Sequence, residues 1–355
     1  MAIFNASEVN LHTASKEDVL CYYATDEKDY NGQLGARISS IFVILFVSTA
    51  FTFFPVVAKD LPSWKIPHNV YVFARYFGTG VILATAFVHL LDPAYNRIGP
   101  KTCVGVSGYW GEYSWCAAIV LASVVAIFLF DLAAEVYVER KYGIERDETA
   151  TAAFINPSPD SQNPHRAECA TKEPTILQQT PSPSEDSTMK NARSFDQQIA
   201  AFLILEFGII FHSVIIGLNL GVTGSEFATL YPVLVFHQSF EGLGIGARLS
   251  AIPFAQHKIL PYMLCLAYGL TTPISIAIGL GLRTTYNPNS KESLIIQGVF
   301  NAVSAGVLIY SALVELLARD FLFDPDRTRK RTQLVYMVFC VLLGAGVMAL
   351  IGKWA

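Results

Sequence analysis

Windows of roughly 20 mostly apolar residues recur along this chain, separated by short polar breaks, and a helix of that length is what crosses the hydrocarbon of a bilayer. Eight windows are present: Ala36 to Val57, Val70 to Leu91, Ser114 to Val138, Gln197 to Gly221, Glu226 to Leu249, Ile259 to Leu282, Leu294 to Leu317 and Leu334 to Lys353. The pattern predicts an all-α polytopic membrane protein with eight transmembrane helices. It divides the chain into an extracellular tail over 1–35, helices 1–3 over 36–138, a long loop over 139–196, and helices 4–8 over 197–355.

Composition agrees, since AVILMFWYC make up 52% of the 355 residues, charged residues 15%, and the mean hydropathy is +0.40. Met1 to Gln33 is polar and lacks the apolar core of a secretory signal, so the first window is expected to act as the insertion signal. Lysine and arginine concentrate in cytoplasmic loops. With the N-terminus outside, sixteen of the 25 Lys and Arg fall in cytoplasmic segments and eight in outer ones, Arg75 lying inside the second window. Discounting the long loop leaves nine against eight, and the cluster Arg327, Arg329, Lys330 and Arg331 before the eighth window decides the orientation. Both termini are therefore expected outside, in the plasma membrane.

The one long connection, from Arg140 to Arg193, sets six prolines among Ser, Thr, Asn, Gln, Glu and Lys and is expected to be disordered. Its His165 to Cys169 run is a weak metal-binding candidate beside its plainer reading as solvated loop. Three of the six cysteines, Cys21, Cys103 and Cys116, fall on the outer side, where Cys103 and Cys116 are near enough in one loop to form a disulfide. Asn5-Ala6-Ser7 is a glycosylation sequon on that side.

Candidate chemistry sits where polar groups are expensive. An ionisable side chain within a span costs about 2.5–3.5 kcal/mol on insertion scales, yet the fourth window holds Glu206, His212 and Ser213, and the fifth holds His237, Gln238 and Glu241. His237 and Glu241 are spaced i, i+4, which puts them on one helix face about 6 Å apart along the axis. Two imidazoles and one carboxylate supply about three ligands of an open zinc site, with water, Ser213 or Gln238 free to complete it. The competing reading makes these groups interhelical hydrogen bonders. It explains one histidine more easily than this whole set on adjacent spans. Gly217 with Gly221, and Gly242 with Gly246, form small-xxx-small pairs expected to let the fourth and fifth helices approach closely.

The segments His212-Ser213-Val214-Ile215-Ile216-Gly217 and His237-Gln238-Ser239-Phe240-Glu241-Gly242 resemble the paired signatures of the ZIP (Zrt-, Irt-like) metal transporters. The window count, the long loop after the third window and Ala36-Arg37-Ile38-Ser39-Ser40 opening the first resemble the fungal zinc-uptake branch over nearly the whole chain. That resemblance implies a homodimeric carrier in a 3+2+3 helical arrangement, with a metal site between the fourth and fifth helices exposed alternately to the two sides by an elevator-like shift. It implies His212, His237 and Glu241 as ligands, with Ser213 and Gln238 beside them, and zinc as transported substrate rather than cofactor. The chain departs from bacterial members at Ile216, Gln238 and Thr272, where those have acidic residues. One divalent ion against one carboxylate leaves about one net positive charge, which opposes a second ion in low dielectric.

His89 and Asp92, spaced i, i+3 at the outer end of the second window, are a candidate entrance, or an interfacial polar cap. Glu206, seven residues before Ser213, is a candidate exit, or the ion-pair partner of Arg75; Asp131 and Glu315 near cytoplasmic helix ends are further exit candidates. The expected function is inward transport of zinc, with iron as a second candidate metal, in a chain that is not an enzyme and binds no nucleic acid. The alternatives are an intramembrane zinc hydrolase, which would add a third histidine and a base within reach, and a metal-sensing receptor without net flux.

Overall fold

A computed structural model of the chain describes residues 32–61, 66–142, 183–323 apart from 225, 255, 256 and 286, then 328 and 330–354, with residues 10, 13–15, 17 and 19–21 of the tail; 183–194 and 354 are described as backbone only. Among them stand eight long helices and no strand: α1 Leu34–Asp60, α2 His68–Ile98, α3 Trp115–Tyr142, α4 Pro183–Val222, α5 Phe227–Ala251, α6 Leu260–Leu282, α7 Lys291–Phe323 and α8 Arg331–Ile351. Seven are long and apolar enough to cross a membrane. The exception is α5, the helix that carries His237, Gln238, Glu241 and Arg248 and buries the first three. Its low apolarity is the mark of the site itself.

Most helices outrun the windows that predict them, because polar turns extend a helix past the apolar stretch. The largest difference is in α4, whose backbone is helical from Pro183, fourteen residues before Gln197. Proline suits a helix start, where its missing N–H has no partner to lose. The remainder of the long connection, including His165 to Cys169, lies outside the described residues, as does the sequon. So does the greater part of the N-terminal tail.

The helices pack in two groups. In the first, α1 lies along α5 and α6, and α4 lies along α6; in the second, α2 lies along α8 and α7, and α3 along α7. The seam between the groups runs where α2 meets α5 and α4 meets α7. Glycines set these distances. A Cβ placed on Gly78 of α2 would stand 2.1 Å from Gly244 Cα of α5, so only glycine permits that crossing. Gly217 and Gly221 meet Ser275 and Gly279 of α6, and Gly242 and Gly246 meet Thr52 of α1. The expectation that these two pairs draw α4 and α5 together is therefore corrected. At about 100° per residue, Gly217 and Gly221 lie about 140° and 180° around the helix from His212, and Gly242 and Gly246 lie likewise from His237.

Two polar devices hold the first group. Arg37, fully buried in the first turn of α1, donates to the carbonyls of Leu220, Gly221 and Thr223 at the end of α4, and to Gly32. Its guanidinium also lies 4.5 Å from the Phe227 ring centre at the start of α5. A cation is thus placed on the negative end of the α4 dipole, where the last carbonyls have no helical donor. In α6, Pro273 lacks the N–H that would serve the Gly269 carbonyl one turn back. The Ser48 hydroxyl of α1 lies 3.1 Å from that carbonyl and 2.7 Å from the Ile44 carbonyl of its own helix, with one proton to share between them.

On the tail side, Cys103 is joined to Cys21. The expected Cys103–Cys116 bridge is corrected accordingly: Cys116 is a free thiol, buried in the first turn of α3 against Ala94, Ile98 and Val104. Loop spacing alone does not distinguish a cysteine turned into an apolar cluster from one turned toward a partner.

Candidate metal centre

His212 and Ser213 come from the middle of α4; His237, Gln238 and Glu241 come from α5, all of them buried. His212 Nε2 stands 3.3 Å from His237 Nε2, and His237 Nε2 stands 3.5 Å from Glu241 Oε2. Two ligands held about 2.0–2.1 Å from a tetrahedral zinc stand about 3.3–3.4 Å apart, so the observed spacings are those of donors on one ion as well as those of a polar contact. The three groups form a chain of two contacts rather than a closed cage. Among the described residues no set of three His, Cys, Asp or Glu is gathered for a metal as the side chains lie.

Four buried atoms around this chain have no protein partner: His237 Nδ1, Glu241 Oε1, Gln238 Nε2 and Ser213 Oγ. Buried polar atoms are costly unless bonded, and the carboxylate and imidazole among them are the donor types of a zinc site. Tyr268 of α6 donates its hydroxyl toward Gln238 Oε1 at 3.0 Å and Glu241 Oε2 at 3.2 Å. Sequence reasoning missed this residue; its signal was a tyrosine in mid-span, since a buried phenol needs a polar partner.

His89 belongs beside the centre. Its ring meets that of His237 edge-on with centroids 5.0 Å apart, and its Nε2 lies 3.2 Å from the Met348 carbonyl of α8. Asp92 does not join it: exposed, it accepts a hydrogen bond from Asn96 Nδ2 at 3.0 Å. The two part because Thr85–Leu91 is wound as π-helix, whose wider turn separates positions that an α-helix would place together. Such segments are frequent at functional sites.

Glu206 is buried on α4 at 4% exposure with no partner at either carboxylate oxygen. The rival pairing with Arg75 is not made, because Arg75 bonds Asp320 at 2.8 Å. Asp131 accepts from Tyr310 at 2.7 Å, and Glu315 pairs with Arg319. Both lie on α3 and α7, which contribute none of His212, His237 and Glu241. Thr272, where bacterial members of the resembled family have an acid, is buried on α6 with its hydroxyl oxygen lacking a partner.

Comparison with known proteins gives the same picture over almost the full length. Residues 34–352 match the family described as ZIP Zinc transporter. The chain is 54% identical to zinc-regulated transporter 1 of Saccharomyces cerevisiae, over 99% of this chain and 97% of that protein. It is 40% identical to zinc-regulated transporter 1 of Schizosaccharomyces pombe, over 96% of this chain and 90% of that one. Zinc transporter 9 of Oryza sativa is 31% identical, over 96% and 95%. With its helices, its buried histidine pair and these relatives taken together, the chain belongs to the ZIP zinc transporter family.

Proposed function

We propose that this chain carries zinc inward across the plasma membrane through one alternately exposed site, with His212, His237 and Glu241 as ligands and Ser213 and Gln238 completing the shell. The observation that carries the reading is the buried contact of His212 with His237 at 3.3 Å, extended to Glu241 at 3.5 Å, where two helices meet inside an apolar bundle. Membership of a transporter family removes the hydrolase alternative. His89 serves the outer approach. Glu206, two turns or about 10.5 Å along α4 from Ser213, serves release, since its carboxylate oxygens are unpartnered; Asp131 and Glu315 have protein partners and take no part.

The same reading has eight crossings, α5 included, the 3+2+3 arrangement of the resembled family, a homodimer, and both termini outside. The Cys21–Cys103 bond supports the orientation, because it lies on the tail side and disulfides persist in oxidising compartments. The test is zinc flux into proteoliposomes. His237→Ala and Glu241→Ala should each reduce flux to background with the protein still inserted, since each removes one of about three ligands. Flux near that of the unaltered chain in both variants would overturn the site, and no flux in the unaltered chain would leave a receptor rather than a carrier.

A further inference from the structure

A second polar site lies away from the histidines, at the end of the bundle where α1 ends and α2 begins. A cavity of about 660 Å³ opens there, lined by Lys59, His68, Tyr71, Arg75 and Gln333 together with Asp320. Asp320 is buried and shared: Arg75 bonds one carboxylate oxygen at 2.8 Å and Arg248 the other at 3.2 Å. Arg248 also donates to Thr79 Oγ1 at 2.8 Å. Among the described residues the cavity wall therefore carries two cations, Lys59, which donates to the Ser250 carbonyl, and Arg75, against the one carboxylate of Asp320, an excess of one positive charge before His68 is counted.

That excess makes the cavity a poor passage for a dication and a good seat for an anion. Guanidinium and ammonium groups form the strong, charge-assisted bonds to phosphate oxygens, and the Tyr71 hydroxyl and the Gln333 amide nitrogen add neutral donors, Gln333 Oε1 accepting from Thr328 at 3.1 Å. The volume falls within the roughly 300–1,000 Å³ of small-molecule pockets, far more than a single acetate-sized group would fill. In the orientation proposed above the cavity faces the cytosol, where basic pockets between membrane helices take phosphorylated head groups.

We infer that the cavity lined by Lys59, Arg75 and Gln333 binds a phosphate-bearing anion. Its walls come from both helix groups, with Lys59 and Ser250 from the first and Arg75, Asp320 and Gln333 from the second. A ligand held there spans the seam.

The test uses the purified full-length chain in detergent, with thermal unfolding read against inorganic phosphate, dioctanoyl phosphatidylinositol phosphate, and dioctanoyl phosphatidylcholine as control. A saturable rise in the unfolding midpoint is expected with a phosphate probe and none with the control. A rise with both phosphate probes marks a free anion as the ligand, and a rise with the phosphoinositide alone marks a lipid head group. Lys59→Gln and Arg75→Gln should each weaken the apparent affinity about fivefold, the effect of about 1 kcal/mol per basic residue near a membrane surface. Gln333→Glu, which leaves the Arg75–Asp320–Arg248 cluster intact, should weaken it similarly and keeps the test open if Arg75→Gln fails to fold. No saturable rise with either phosphate probe, as when the chain's own acids already neutralise the site, or equal affinities in all three variants, would overturn the inference. The readout needs no zinc, so it stands apart from the fate of the transport site.

Discussion

Beside Glu241 one phenol proton faces two acceptors. Tyr268 has one hydroxyl proton for Gln238 Oε1 and Glu241 Oε2 together, and Glu241 Oε1 has no partner. A phenol donates to one acceptor at a time, so lone pairs are left over in a dry place, which is the condition that favours a cation. In the proposed site Tyr268 is the outer partner of the Glu241 carboxylate. Losing such an outer partner typically costs about 10–100-fold in metal affinity or activity. Tyr268→Phe, which keeps the ring and deletes the donor, should therefore lower zinc uptake at least about tenfold at limiting zinc with the surface amount unchanged; uptake equal to that of the unaltered chain would show that the hydroxyl has no such part. At this scale His212, His237 and Glu241 were legible because ionisable groups stand out in apolar windows. Tyr268 was not, since an aromatic in a span reads as ordinary packing. His89 was read as a span-end group because the π-turn that swings it toward His237 leaves no mark in a hydropathy pattern.

Between elements, the polar groups that matter most serve helix ends and helix breaks. Arg37 answers three carbonyls at the C-terminal end of α4. A buried carbonyl left without a donor costs about 1–3 kcal/mol, so Arg37→Ala should destabilise the protein in detergent by at least a few kcal/mol. Arg37→Lys should fail to restore it, because an ammonium lacks the planar fork that reaches several acceptors. Thermal unfolding of the two variants decides this, and full stability in Arg37→Ala would mean that the α4 end is held by other means. Ser48→Ala removes the hydroxyl shared by the Ile44 and Gly269 carbonyls and should cost about 1 kcal/mol, the net worth of one hydrogen bond. The sequence carried Pro273 in plain view but not its remedy, since Ser48 lies 225 residues earlier and only the fold brings the two together. The glycine pairs carry the opposite lesson. Their angular distance from the histidines was available from spacing alone, and it already pointed them away from the shared site; that they meet α1 and α6 is known only from the fold.

Across the whole molecule, the all-helical class and the apolar stretches of the membrane-length helices were legible in hydropathy, while the partition into two groups was not, because it depends on which glycine faces which neighbour. The side of the membrane on which each end lies was argued from charge, and the cysteines allow a direct test. Cys21 and Cys103 are bonded to each other, whereas Cys116, Cys265 and Cys340 are buried thiols, and Cys169 falls in the long connection. With the tail outside, intact cells treated with a membrane-impermeant maleimide should take up little label. After an impermeant reductant opens the Cys21–Cys103 bond, two thiols should become reactive, and Cys21→Ser with Cys103→Ser should abolish that gain. Permeabilising the cells should then add Cys169. A tag inserted after Pro174 should be shielded in intact cells and one before Asn5 accessible, as the arginine cluster ahead of α8 requires. Labelling of Cys169 in intact cells without reductant would reverse the orientation. Zinc would then be carried outward, and the cavity walled by Lys59 and Arg75 would face the medium instead of the cytosol.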